Sequence, residues 1–140
     1  MKQLGFRLIS TKIDQFASFE ENDNPAIEFE FFSTLSFDFD REKNTLFCSC
    51  SVTGNKNNIV VVKGAVTFGY ELDPISSKRL SEKESTELTV PKETLIFLAS
   101  KTYGGLRGVL LAKLQNTNIR LVLPLTDLSE IITEPLCLTA

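Results

Sequence analysis

Histidine and tryptophan are absent from this sequence, and it holds only one methionine and three cysteines. The missing imidazole removes the commonest general base, the commonest zinc ligand and every Ser–His or Cys–His nucleophile arrangement. Three thiols do not close a disulfide set. Cys48-x-Cys50 has one residue between its thiols where structural zinc sites use two to four, and with Cys137 it still lacks a fourth ligand. The pair reads as two small hydrophobes, so no metal and no cofactor are expected. The longest unbroken apolar runs, Leu95–Ala99 and Val109–Ala112, fall far short of the ~20 residues of a membrane span. The first residues, Met1 to Arg7, lack the apolar core of a secretory signal, which makes a reducing cytoplasm the expected location. No Walker loop, Rossmann fingerprint or nucleophile elbow occurs; Gly104-Gly105-x-x-Gly108 lies too late and in too helical a context to cradle phosphate. A net charge of −3 offers no electrostatic reason to bind nucleic acid or anionic lipid. These absences favour a binding module over an enzyme.

What remains is ordinary globular material: 140 residues, 42% hydrophobic and 24% charged. A chain of this mass buries about two-thirds of its surface on folding, enough for a core without staples, so one domain over residues 1–140 is expected.

The first half is patterned as sheet. From Ile27 to Phe39 the odd positions are Ile27, Phe29, Phe31, Ser33, Leu35, Phe37 and Phe39, and the even positions include Glu28, Glu30, Thr34, Ser36, Asp38 and Asp40. That period of two marks a strand with one buried face. At ~3.3 Å per residue the segment would run roughly 43 Å, which predicts a bend near Phe32-Ser33, where an extra aromatic interrupts the polar row. Leu46, Cys48, Cys50 and Val52 share one face of a further strand, which ends in the turn signal Gly54-Asn55-Lys56-Asn57-Asn58. Ile59 to Leu72 follows as its hairpin partner, and Leu4 to Phe19 forms a weaker first strand. Four antiparallel strands over about 4–72 are expected, then a polar loop or short edge element over 73–89.

The period then changes. After Pro91, residues 92–114 follow helical spacing, with Leu95, Ile96, Leu98, Ala99, Tyr103, Leu106, Val109, Leu110 and Leu114 in one core-facing stripe. A short final helix is expected over about 126–133, between Pro124 and Pro135, with Asp127 and Glu130 as a variant capping box. Opposite the stripe, Ser100, Gly104, Gly108 and Ala112 recur every four residues, flanked by Phe97 and Leu111. Each helical glycine costs roughly 1 kcal/mol relative to alanine, so something should offset the cost. Close approach of a helix from a second subunit is one answer, which makes Phe97, Ser100, Gly104, Gly108, Leu111 and Ala112 an oligomer interface. The alternative is that Gly104-Gly105 ends one helix and starts another.

Among exposed groups, Glu28, Glu30, Asp38 and Asp40 share the even face of one strand; they form a plain solvated surface or a docking patch for a basic partner. Eleven phenylalanines exceed what one strand face needs. Phe31 and Phe32 point to opposite faces, and Phe47 sits off the Cys48/Cys50 face. Apolar surface is therefore expected to stay open, and such grooves take extended polypeptide.

Three segments resemble the SecB family of export chaperones. Ala17-Ser18-Phe19-Glu20-Glu21-Asn22-Asp23-Asn24-Pro25 is similar to the end of that family's first strand and its crossover loop. Val62 to Tyr70, with Gly64 and Phe68, is similar to its fourth strand. Leu106-Arg107-Gly108-Val109-Leu110-Leu111-Ala112-Lys113, followed by Thr117 and Leu123-Pro124, resembles its long helix and the connection to a second helix. The resemblance implies an α+β fold, a four-stranded antiparallel sheet with one long and one short C-terminal helix on one face. It further implies a homo-tetramer, a dimer of dimers with long helices between sheets. Such proteins hold newly made polypeptides unfolded without ATP and pass them to the SecA translocase ATPase. The implied groove involves Phe31, Phe32, Phe37, Phe47, Leu125, Leu128, Ile131 and Ile132. Glu20 matches a family acidic residue and joins the docking set, whereas Val61 stands where the family has an acidic contact for SecA. The family's acidic tail is replaced by Glu134-Pro135-Leu136-Cys137-Leu138-Thr139-Ala140. Some SecB-like proteins protect an antitoxin in a toxin–antitoxin system, and this chain fits that role too. An adaptor that binds one defined peptide or apolar ligand is the remaining alternative.

Overall fold

Alternation in the first half becomes four long antiparallel strands: β1 (Phe6–Ser18), β2 (Glu30–Asp40), β3 (Thr45–Lys56) and β4 (Ile59–Leu72). The computed structural model describes residues 5–73, 87–121, 123 and 128–139, with the backbone alone at 22, 87, 88 and 136–139. The sheet order is β1-β4-β3-β2, so β2, β3 and β4 form a meander and β1 returns beside β4. Residues 19–29 therefore cross from one edge of the sheet to the other. This crossover segment opens with a 3-10 turn at Glu20–Asn22 and is tied to β4 by Phe19 N–H donating to the Val61 carbonyl at 2.7 Å.

The β3–β4 hairpin turns on two residues only. Asn57 and Asn58 have φ of 52° and 62°, the pair of left-handed conformations of a type I′ turn, and Lys56 pairs with Ile59. The strand thus continues through Gly54-Asn55-Lys56, which composition alone marks as turn. No register shift interrupts β2 against β3, so no β-bulge marks Phe32-Ser33. Phe32 keeps its place in the even row and points away from the core, exposed. The irregularities lie instead in β1, between Leu8 and Ser10 and between Ile13 and Gln15, and in the β3–β4 ladder at Gly54/Asn55.

The second half is one long helix, α1 (Lys92–Leu114), laid across β3 and β4. No glycine has a positive φ among the described residues, and α1 runs unbroken through Gly104-Gly105, which removes the reading of two helices meeting there. By length and composition this helix passes as a membrane span, with a mean hydropathy of 1.2 over 18 residues, contrary to the reading from unbroken runs alone. Its buried side, however, is packed on the sheet as a core helix. Leu95, Leu98, Ala99, Tyr103, Leu106, Leu110 and Leu114 meet Leu46, Cys48, Cys50 and Val52 of β3 and Val62, Val66, Tyr70 and Leu72 of β4 in one core.

Two glycines permit this packing. A methyl at Gly64 would lie 2.8 Å from Leu110 Cδ2, and one at Gly105 would overlap the Phe68 ring. Thr102, a polar residue in mid-stripe, is fully buried. Its hydroxyl donates to the Leu98 carbonyl at 2.9 Å and meets the Tyr70 hydroxyl at 2.8 Å, pinning helix to sheet.

One expectation about the C-terminal part changes. The short helix is not seen among the described residues: Leu128–Ile131 form a turn in which the Ile131 and Ile132 N–H groups both donate to the Leu128 carbonyl, at 3.1 and 2.8 Å. Residues 124–127 lie outside the described residues. Of the polar loop or short edge element expected over 73–89, residues 74–86 lie outside the described residues, and the end is a short strand, β5 (Glu87–Val90), paired antiparallel with β6 (Leu136–Thr139). Four-residue strands are too short for alternation to register. Ile119, Leu123, Leu128 and Ile132 complete the core on this side.

Candidate functional site

The half-covered edge of the sheet lies at β2. Phe31, Leu35 and Phe37 point to the core side but are only partly buried, because α1 lies over β3 and β4. At the Phe31 end, the crossover segment and the chain after α1 close over this edge and leave a groove of about 460 Å³. Pro25, Ile27, Phe29 and Phe31 form its apolar wall; Asp23, Glu28, Lys56, Asn118 and Arg120 supply the polar groups.

The wall is built by backbone geometry. Gly54 leaves room for the Phe29 ring, since a methyl there would lie 3.1 Å from Phe29 Cδ1. Phe29 stacks on Phe31 with ring centroids 5.6 Å apart and planes at 23°. Lys56, only 6% exposed, places its ammonium 4.4 Å from the Phe29 ring centroid. The same ammonium donates to Asp23 Oδ1 at 2.6 Å and to the Asn24 carbonyl at 3.0 Å. A second tie across the groove runs from Asn118 N–H to Glu20 Oε1 at 3.3 Å. With Lys56 neutralised by Asp23, the groove presents a flat aromatic surface with Glu28 and Arg120 of opposite charge among its lining, a site suited to apolar side chains of an extended chain.

The residues singled out for peptide binding are not gathered in one place. Phe31 lines the groove, Phe37 lies three pairs further along the same face of β2, and Leu128 and Ile132 are buried in the core nearby. Ile131 is exposed, and Leu125 lies outside the described residues. Phe32 and Phe47 belong to the opposite face of the sheet, as their pairing with Thr53 and Asp38 requires. That outer face carries a hydroxyl ladder instead: Thr34 bonds Ser51, Ser49 bonds Thr67 at 2.7 Å, and Thr67 donates to Asp14. Phe29 was legible as part of the alternating row. Nothing in the sequence marks Lys56 as buried.

The acidic set is dispersed as well. Glu28, Glu30 and Asp38 are exposed, Asp38 accepts from its neighbour's N–H, and Asp40 is half-buried and caps the following turn through Lys43 N–H. Glu20 is engaged with Asn118. Val61 is fully buried. Cys48 and Cys50 are free thiols in the core; their mutual hydrogen bond, with burial, pushes the Cys50 thiol far above the usual thiol range. No metal-binding cluster occurs among the described residues.

The far side of α1 is uncovered among the described residues. Phe97 is 58% and Leu111 75% exposed; Ser100, Gly104, Gly108 and Ala112 are exposed between and beside them, and a methyl at Gly104 or Gly108 would meet nothing within 4 Å. A second groove of about 340 Å³ runs along this side, lined by Gly104, Gly108, Leu110, Leu111, Leu121 and Leu123 with Arg107.

No protein-family model matches the sequence, and no curated protein matches it. Similar solved structures include a SecB-like chaperone from Mycobacterium tuberculosis in complex with a ChAD peptide from the HigA1 antitoxin. It aligns with a TM-score of 0.50 and 14% identity over 89% of this chain and 87% of that one. A protein of unknown function from Streptococcus agalactiae aligns with a TM-score of 0.44 and 11% identity, over 90% of this chain and 100% of that one. The chain thus has an α+β fold similar to that of a SecB-like chaperone.

Proposed function

We propose that this protein is a SecB-like, ATP-independent holdase that takes unfolded or newly made polypeptide into the groove beneath the crossover segment. The observation that carries the proposal is the stacked Phe29–Phe31 wall, half-exposed in a groove on a fold similar to that of a chaperone bound to a peptide. One aromatic or large aliphatic side chain buried on that wall contributes about 2–3 kcal/mol. A single site of that strength is weak, and several sites on one assembly would raise the overall hold on one long client. On this reading the protein acts without catalysis or cofactor, in the cytoplasm, and its further partner is either the SecA translocase ATPase or an antitoxin.

An assembly finds support in α1. Phe97, Ser100, Gly104, Gly108 and Leu111 are symmetric in sequence about Gly104, four and seven residues to each side. A stripe with that symmetry is self-complementary for an antiparallel copy, Phe97 of one helix facing Leu111 of the other, as an isologous interface demands. Homo-tetramers built on such pairs would multiply the grooves.

The test is suppression of light scattering by a chemically denatured client diluted from denaturant, without nucleotide. Near-stoichiometric amounts should hold the client in solution; unchanged turbidity at tenfold excess would end the holdase reading. The second reading, a chaperone of one antitoxin or an adaptor for one defined peptide, draws on the peptide seated on the mycobacterial neighbour. Pull-down separates the two: many unrelated unfolded clients support the first, a single stoichiometric partner the second.

A further inference from the structure

The least expected side chain in the groove is Lys56. An ammonium buried to this degree is costly unless its charge is paired and its protons are bonded. Here all the compensation comes from one stretch of chain: the Asp23 carboxylate at 2.6 Å, the Asn24 carbonyl at 3.0 Å and the face of the Phe29 ring at 4.4 Å. Asp23 is itself buried, with 8% of its side chain exposed. Lys56, for its part, is held by the sheet, paired with Ile59 beside the two-residue turn at Asn57-Asn58. It therefore joins a rigid hairpin tip to the middle of the crossover segment.

Stability alone does not call for this arrangement. Buried ion pairs are commonly matched or exceeded when both partners are replaced by apolar side chains of similar volume, whereas removing one partner leaves the other charge buried and unpaired. Methionine has no directed bond to Asp23 or Asn24. We infer that Lys56 is a positioning residue, which holds residues 23–29 at the height and register at which Phe29 stacks on Phe31. Loss of the ammonium frees that segment, tilts Phe29 away from Phe31 and removes the flat wall without unfolding the sheet. The consequence for binding rests on the holdase reading; the hold on the segment does not.

The test uses the full chain with Lys56→Met and Asp23→Asn, the latter keeping an acceptor oxygen but no charge. Hydrogen exchange is followed over residues 23–29 and over Thr102–Leu110 as an internal reference, and suppression of aggregation is measured with reduced insulin as client. In Lys56→Met, exchange over 23–29 should rise about tenfold or more relative to the helix reference, while the thermal midpoint falls because Asp23 loses its partner. Several-fold more protein should then be needed to keep the client soluble, and Asp23→Asn should fall between wild type and Lys56→Met. If Lys56→Met does not fold, Asp23→Asn carries the same comparison. Unchanged exchange over 23–29 overturns the inference, as does faster exchange with undiminished client holding. Faster exchange with a wild type that holds no client upholds the positioning and removes the holdase reading instead.

Discussion

Three glycines within five residues of α1 should respond to the same substitution with opposite signs. Gly104 and Gly108 sit in open space, so alanine there adds a methyl that touches nothing within the chain. Each change then recovers about 1 kcal/mol of helix propensity. At about 2.1 cal/mol/K per residue, this 140-residue chain has an unfolding entropy near 0.3 kcal/mol/K, so the double Gly104→Ala/Gly108→Ala variant gains roughly 6–7 °C in thermal midpoint at dilutions where the chain is monomeric. Gly105→Ala must instead displace the Phe68 ring from under the helix. Overpacking of this kind costs about 1–3 kcal/mol, more than the propensity returns, and the midpoint should fall. Against this background Gly104→Leu and Gly108→Leu isolate the role of the outer face. Leucine is at least as helix-compatible, so the folded chain keeps its stability, but helices of two copies cannot approach across it. Multi-angle light scattering beside calorimetry checks both sides. The expected result is native stability with loss of assembly mass. Leucine variants that keep the wild-type mass would refute close helix pairing.

Removing the Tyr70 hydroxyl (Tyr70→Phe) should cost about 1 kcal/mol, or roughly 3 °C, since Thr102 retains its bond to the Leu98 carbonyl. Burial raises the Tyr70 phenol above its ordinary value near 10, so the folded state holds that proton more tightly than the unfolded chain. Its contribution is complete below pH 10 and declines as pH climbs from there toward the folded value; alkaline titration of stability should show a loss that Tyr70→Phe lacks. Asn58→Val forces a β-branched residue to a φ of 62° and should cost about 1–2 kcal/mol in denaturant midpoint, whereas Asn58→Gly should be neutral or slightly stabilising. Phe31→Ala, on a half-exposed position, should weaken client binding by about 2 kcal/mol, a factor of roughly 30 by fluorescence titration, with a smaller effect on folding.

The strands were legible wherever one face is covered and the other wet. Phe29, Phe31, Leu35, Phe37 and Phe39 alternate with polar residues because β2 has a single core side, and Leu46, Cys48, Cys50 and Val52 do so beneath α1. Helical spacing found the stripe on α1 but passed over Thr102, since a hydrophobicity count does not see a hydroxyl that bonds back to its own helix. It did set Gly104 and Gly108, which face outward, apart from Gly105, which faces Phe68. Composition spread the turn over Gly54–Asn58, whereas two asparagines with positive φ suffice and the strand runs on to Lys56. That misplacement hid half of the groove. A lysine beside an asparagine turn reads as solvated, and only the crossover segment, 33 residues away in sequence from the Lys56 side of the Asp23 bond, makes it buried. β6 escaped, and β5 was foreseen only as one of two readings, for a simpler reason: four residues carry too little pattern, and each finds its partner across most of the second half of the chain.

The placement of β1 has a consequence for synthesis. Among the described residues it pairs with β4 alone, Phe6 opposite Leu72 and Ser18 opposite Val62, so the far end of its partner lies 54 residues beyond its own. At ribosomal speeds of 5–20 residues per second, the strand waits about 3–11 s before that edge exists. During the wait Phe6 and Phe16, which the finished fold packs against its core, are as bare as any client's side chains. A protein proposed to shelter unfinished chains thus begins life as one.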